Sequence, residues 1–249
     1  MTGVMNRRNL LAGGLAAGTM LAPLSRALAK GIPGDALSAD FDRAFGLPGT
    51  APVSPAAIPE LPVVPALPLT APPDPYYNTR LVASAQRQLA RNRGHAKLWR
   101  GDIVGIADFA RPSTLPRLHF VNLENGSIRS FLVAHGRGSD PEHSGYLQNF
   151  SNVPGSEATS RGAYVTCEWY TGKYGTSIRL EGMDPDNSEA LDRAIVMHPA
   201  PYATLEHIAK FGKLGRSEGC FAMSPGDFNE ALWHLSGGRL LYADRLTTV

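Results

Sequence analysis

The chain has 249 residues, with 24 Lys and Arg against 22 Asp and Glu, 43% hydrophobic residues and 2 cysteines. That length holds one domain with additional segments. A formal charge of +2 without a Lys/Arg cluster leaves no electrostatic basis for binding nucleic acid or an anionic membrane surface.

Arg7 and Arg8 precede an apolar stretch from about Leu10 to Leu24, and Ala27-Leu28-Ala29 has the small-residue pattern of a cleavage site. An export signal is therefore expected over residues 1–29, with cleavage before Lys30. The paired arginines, followed by Asn9-Leu10-Leu11, look like a twin-arginine signal, so the expected location is periplasmic or otherwise extracytoplasmic. The apolar run is shorter than the roughly 20 residues a spanning helix needs, which argues against stable membrane insertion after cleavage. Cleavage removes Arg7, Arg8 and Arg26 and no acidic residue, taking the formal charge from +2 to −1.

Residues 30–76 read as a Pro-rich linker, since 11 of the 20 prolines lie between Pro33 and Pro75. Such composition favours extended polyproline II at about 3.1 Å per residue, giving a reach on the order of 100 Å. Binding of a partner domain is the alternative use, and Pro59-Glu60-Leu61-Pro62 also permits docking onto the domain.

Domain patterning covers residues 77–249. Asn78 is a candidate cap for a helix over 78–94, with Leu81, Val82, Ala85 and Leu89 at helical spacing. Leu118 to Glu124 and Ser127 to His135 are β-rich runs joined by Asn125-Gly126, a tight-hairpin signal. Further strands are expected at 163–170, 177–181, 194–198 and 239–243. Ser224-Pro225-Gly226-Asp227 supplies an N-cap, a first-turn proline and a capping-box acid for a helix through Leu235. The fold class expected is mainly β with peripheral helices, a β-sandwich or half-barrel.

Gly219 and Cys220 place a thiol directly after a glycine corner, and His198 ends an apolar run upstream. A thiol attacks as thiolate, so it needs a nearby base and backbone amides to hold the developing oxyanion. The alternative for Cys220 is a disulfide with Cys167, the other cysteine, as exported proteins often form.

The blocks Phe131-Leu132-Val133-Ala134-His135-Gly136, Phe150-Ser151-Asn152, Ser160-Arg161-Gly162-Ala163-Tyr164 and Gly215-Arg216-Ser217-Glu218-Gly219-Cys220 resemble the murein L,D-transpeptidase catalytic-domain family. The resemblance runs from Leu118 to Asp244. It implies an exported enzyme without cofactor or metal. Cys220 would attack a peptidoglycan stem peptide at the carbonyl before its terminal D-alanine, with His198 taking the thiol proton. D-alanine would leave, and an amine on a neighbouring stem, or a protein amine, would accept the acyl group; capture by water would give carboxypeptidase activity. Amides at Glu218, Gly219 and Cys220 would form the oxyanion hole. Ser217 would orient His198, or otherwise turn the loop. Tyr164 and Gly162 resemble the family's substrate-facing segment. His135 would line the cleft, with a structural hydrogen bond its more ordinary role. Two departures stand out: the usual Ser-His-Gly-Cys is here Ser217-Glu218-Gly219-Cys220, and Met223 replaces the arginine common after the cysteine. Arg216 is then a candidate to receive a substrate carboxylate.

Three competing readings come from the residues. A zinc peptidase would draw ligands from His135, Asp140, His143 and His198, though no His-Glu-x-x-His is present. Gly215-Arg216-Ser217-Glu218-Gly219 formally matches a serine nucleophile elbow, but only Asp227, Asp244 and His234 follow it as partners. A peptidoglycan-binding domain without catalysis is the third.

Overall fold

The computed structural model describes residues 74–246, so the expected export signal and the linker as far as residue 73 lie outside the described residues. None of the described helices is long and apolar enough to cross a membrane.

Helix α1 spans Tyr77–Arg91 and buries Leu81 and Ala85, two of the positions with helical spacing. They pack on Val104, Ile106 and Val121. Asn78 does not cap it: the chain enters the helix two residues earlier, through Tyr76, and no side chain caps that end. Tyr77 instead ties the helix to the sheet, its hydroxyl donating to Asp108 Oδ2 at 2.8 Å.

Eight strands form one mixed sheet. They are β1 (Ile103–Asp108), β2 (Leu118–Asn122), β3 (Ile128–Phe131), β4 (Gly162–Gly172), β5 (Gly175–Gly182), β6 (Val196–Pro199), β7 (Phe221–Met223) and β8 (Leu240–Asp244). The order across the sheet is β3-β2-β1-β8-β4-β5-β6-β7. Beyond β3, Ala134 bridges to Ala222 on β7, its N–H donating to the Ala222 carbonyl at 2.8 Å. The two ends of the sheet thus meet, which is the curled, half-barrel arrangement expected.

The β2–β3 hairpin pairs Leu118 with Phe131 and Val121 with Ile128 around the Asn-Gly turn. β1 was not foreseen, because Ile103 to Asp108 is buried throughout and therefore lacks the alternation that marks a half-buried strand. It is central, antiparallel to β2 and parallel to β8. Two other helices flank the sheet. α2 (Leu205–Phe211), also unforeseen, starts where Thr204 accepts from the His207 amide and stops at Gly212, φ 74°. α3 (Pro225–His234) starts as the sequence indicates, with Ser224 Oγ accepting from the Asp227 amide at 3.1 Å.

The main core draws side chains from all eight strands. Met197 of β6 and Phe221 of β7 both belong to it. The Phe221 ring packs edge-on to Tyr164 at 5.5 Å and lies 6.0 Å from Phe109. Burying such a ring stabilises the fold by about 1.5–3 kcal/mol, and here it also fixes the residue that follows the thiol.

Candidate active site

β6 and β7 are parallel neighbours, with Met197 opposite Phe221 and His198 opposite Ala222. Side chains alternate along a strand, so with Met197 and Phe221 in the core, His198 and Cys220 fall on the other face. Continuing the register by one residue sets Cys220 beside Val196. The two expected chemical groups therefore lie on adjacent strands and one face, at the strand ends.

His198 is 1% exposed, and its Nδ1 meets the Pro199 carbonyl at 3.0 Å. That contact needs a proton on Nδ1, which leaves Nε2 with its lone pair, the tautomer a base requires. Burial lowers its pKa, so the ring is neutral and able to accept a proton at neutral pH. Cys220 is 7% exposed, and burial raises the thiol pKa. The Val196 amide and the Arg193 guanidinium act in the opposite direction, while Glu218 adds to the rise. In this conformation the thiol points at the Ala194 carbonyl, 3.7 Å away, and not at the imidazole.

The corner before Cys220 is built by glycines. Gly219 has φ 111°, a conformation natural to glycine, and an added Cβ would lie 2.9 Å from the Ala158 carbonyl oxygen. Gly136 presses against it so closely that a Cβ there would come within 2.7 Å of the Gly219 backbone. Ser217 Oγ donates to the Cys220 carbonyl at 2.7 Å, and the Ser217 amide donates to the His135 carbonyl at 2.9 Å. Ser217 thus turns the loop, and His198 is oriented by Pro199 instead. The Glu218 carboxylate is exposed and accepts from Arg137 at 2.6 Å. Arg216 donates to the carbonyls of Asp140 and Pro141, holding two loops together.

His135 has the structural role. It is buried, its Nδ1 accepts from Arg117 Nη2 at 2.7 Å, and its Nε2 faces Asp140 Oδ2 at 3.4 Å. Burial and then the Arg117 charge push its pKa down to about 3. Tyr164, expected to face substrate, is fully buried, its hydroxyl donating to the Ser160 carbonyl at 2.7 Å. Gly162 is also spent on packing: a Cβ there would lie 2.8 Å from Asp184 Oδ2 and 3.0 Å from Asn187 Nδ2. Both serve to seat β4 under the site.

Two residues at the site were not foreseen. Arg193 donates to the Ser151 carbonyl at 2.6 Å, to Ser160 Oγ and Ser156 Oγ at 3.2 Å, and to the Ala158 carbonyl. It binds the long 151–160 loop against the Gly219 corner and is the cation that acts on Cys220. Tyr174, at the tip of the β4–β5 hairpin, stacks on His198 with ring centroids 4.5 Å apart. Neither residue stands in a motif; only its long distance in sequence from its partners, closed by folding, brings it in.

The competing readings find less support. His143 Nε2 meets the Leu214 carbonyl at 2.9 Å, away from His198, and no group of three or more His, Cys, Asp and Glu among the described residues is placed to hold a metal. The Ser217 hydroxyl is committed to Cys220, as above. Both cysteines are free thiols, Cys167 half-buried on β4.

Comparison with known proteins bears on the family of the chain. No curated protein matches the chain. Among solved structures, an L,D-transpeptidase from Mycobacterium smegmatis is similar with 15% identity and a TM-score of 0.36, over 57% of this chain and 58% of that one. L,D-transpeptidase 3 from Mycobacterium tuberculosis is similar with 12% identity and a TM-score of 0.38, over 57% of this chain and 61% of the other. The chain thus spans about three fifths of their length. The sequence profile of the L,D-transpeptidase catalytic domain matches residues 75–243, which include every strand but the last residue of β8. The chain belongs to the L,D-transpeptidase catalytic domain family.

Proposed function

We propose that this domain is a cysteine acyltransferase of peptidoglycan. Cys220 takes a stem peptide as a thioester, releases the terminal D-alanine and passes the acyl group to an amine. The observation that carries this is the placement of a glycine-cornered thiol on the strand beside a buried, neutral imidazole whose Nδ1 is already committed.

The steps follow from that geometry. The thiol turns away from the Ala194 carbonyl toward Nε2 of His198 and gives up its proton. The sulfur adds to the peptide carbonyl, and the oxyanion meets the amides of the Glu218-Gly219-Cys220 corner, whose direction is set by the positive φ of Gly219. The protonated imidazole then hands its proton to the departing amine of D-alanine. An incoming amine reverses the sequence: it attacks the thioester, loses a proton to Nε2, and the C–S bond breaks. A stem-peptide amine is the expected acceptor, with a protein amine or water as alternatives. Because such stems lie outside the cytoplasm, the reading agrees with the export signal expected at residues 1–29.

Mass spectrometry of the full-length chain incubated with a tetrapeptide-bearing muropeptide tests it. An adduct on Cys220 accompanied by free D-alanine is the expected result. An unmodified Cys220 with product formed, or an adduct elsewhere, would overturn the assignment.

A further inference from the structure

The β4–β5 hairpin reaches its tip at Lys173 and Tyr174, between the paired Gly172 and Gly175. Tyr174 stands outside the three hydrophobic clusters of the domain and is 39% exposed. Its ring nevertheless lies almost flat on the His198 imidazole, with 22° between the planes. No hydrogen bond engages the Tyr174 hydroxyl among the described residues, so the ring face carries the contact. On its own side Lys173 Nζ lies 5.1 Å from the ring centroid. An aromatic side chain at a solvent-facing hairpin tip is thus spent on covering one histidine.

We propose that Tyr174 is a positioning residue that decides how much of the Cys220 thioester goes to an amine and how much to water. The proposal rests on the acyl-transfer reading above. The Pro199 carbonyl fixes one atom of the imidazole, and a single hydrogen bond leaves the ring free to swing about it. The stacked ring removes that freedom by fixing the plane of the imidazole. It also shields one face of the imidazole from bulk water. In deacylation the nucleophile adds to the thioester carbon, its proton passes to Nε2, the C–S bond breaks, and the proton returns to the sulfur. Water needs only an open route to Nε2. An amine on a peptide has a body of its own, which the exposed face of Tyr174 can seat. The aromatic cover therefore disfavours the small nucleophile more than the large one.

The test compares Tyr174→Ala and Tyr174→Phe in the full-length chain with the parent. With a tetrapeptide muropeptide as donor and a second muropeptide as acceptor, the ratio of hydrolysed to cross-linked product is read by mass spectrometry. A ratio taken from one thioester does not depend on how much enzyme is folded. Tyr174→Ala is expected to raise it at least about fivefold, and Tyr174→Phe, which keeps the ring, to stay within about twofold of the parent. An unchanged ratio in Tyr174→Ala, or an equal rise in Tyr174→Phe, would overturn the proposal. A second readout needs no turnover: carbethoxylation of His198 by diethyl pyrocarbonate should be faster in Tyr174→Ala but not in Tyr174→Phe, and equal rates in all three would refute the cover itself. If the parent forms no thioester while labelling behaves as expected, the acyl-transfer reading fails and the partition role falls with it, but the stack stands.

Discussion

The domain holds two buried histidines near the Cys220 loop, and their surroundings differ in the one respect that matters for chemistry. His135 sits in a charged pocket, with Arg117 on one nitrogen and Asp140 facing the other. His198 sits between a backbone carbonyl and an aromatic ring, with Nε2 uncommitted among the described residues. Both are 1% exposed, so burial alone does not tell them apart. A histidine held on Nδ1 by a buried arginine and set between charged groups braces the fold; one on the thiol's side of the sheet, with no charged neighbour holding it, can move a proton.

The sharpest way to break this contrast is at the sulfur. Cys220→Ala should lower cross-linking by on the order of 10⁴-fold or more while the fold survives, as thermal unfolding would show. Cross-linking at the parent rate would mean the wrong nucleophile was chosen. His198→Ala comes next, with an expected loss on the order of 10²–10⁴-fold and a shift of Cys220 alkylation to higher pH. His135→Ala should do the opposite: it should reduce stability by about 2–4 kcal/mol, because Arg117 loses an acceptor in a fully buried setting, and leave the alkylation profile of the folded fraction in place. If the two substitutions gave the same profile, the distinction between brace and base would collapse.

A pH series sharpens the same comparison. Burial pushes His135 and also His119 down to about 3, with Arg117 and Arg111 respectively adding to the effect. Each imidazole is then protonated more readily in the unfolded chain, where its pKa is near the usual 6.5. Stability is therefore full above about pH 6.5 and falls as the pH drops toward 3, by about 1.4 kcal/mol per unit for each group. Urea titrations at pH 7 and pH 5 should show the loss, and His119→Asn should flatten it. The smallest effect is expected at Arg193. Arg193→Lys should reduce stability by about 1 kcal/mol, since a lysine cannot serve the several acceptors of the 151–160 loop. Faster proteolytic cleavage within that loop is the measurement that checks it.

Much of the fold was legible where a strand has one wet face or a cap has a side chain. The β2–β3 hairpin was marked by Asn125-Gly126, and α3 by Ser224-Pro225 and Asp227. β1 was hidden because a strand buried on both faces has no alternation to read. Asn78 misled because helix entry was governed by Tyr77 reaching Asp108, a residue 31 positions away. At the site, the thiol and its glycine corner were visible as a motif, and His198 as a strand end. Tyr164 and Gly162, whose resemblance implies a substrate-facing segment, are instead packed into the domain, since a residue beside a motif can equally be part of the packing that holds it.

Sequence by itself determined which groups we propose to carry the chemistry, because a thiol after a flexible corner and an imidazole at the end of an apolar run are local facts of composition and order. Tertiary structure alone decided how they are used. It placed the last strand in the middle of the sheet, put β6 and β7 side by side, and brought Arg193 and Tyr174 to the site from loops with no motif of their own. Those contacts join residues far apart along the chain, and the pairing of strands that creates them depends on burial summed over the whole sheet rather than on any one segment.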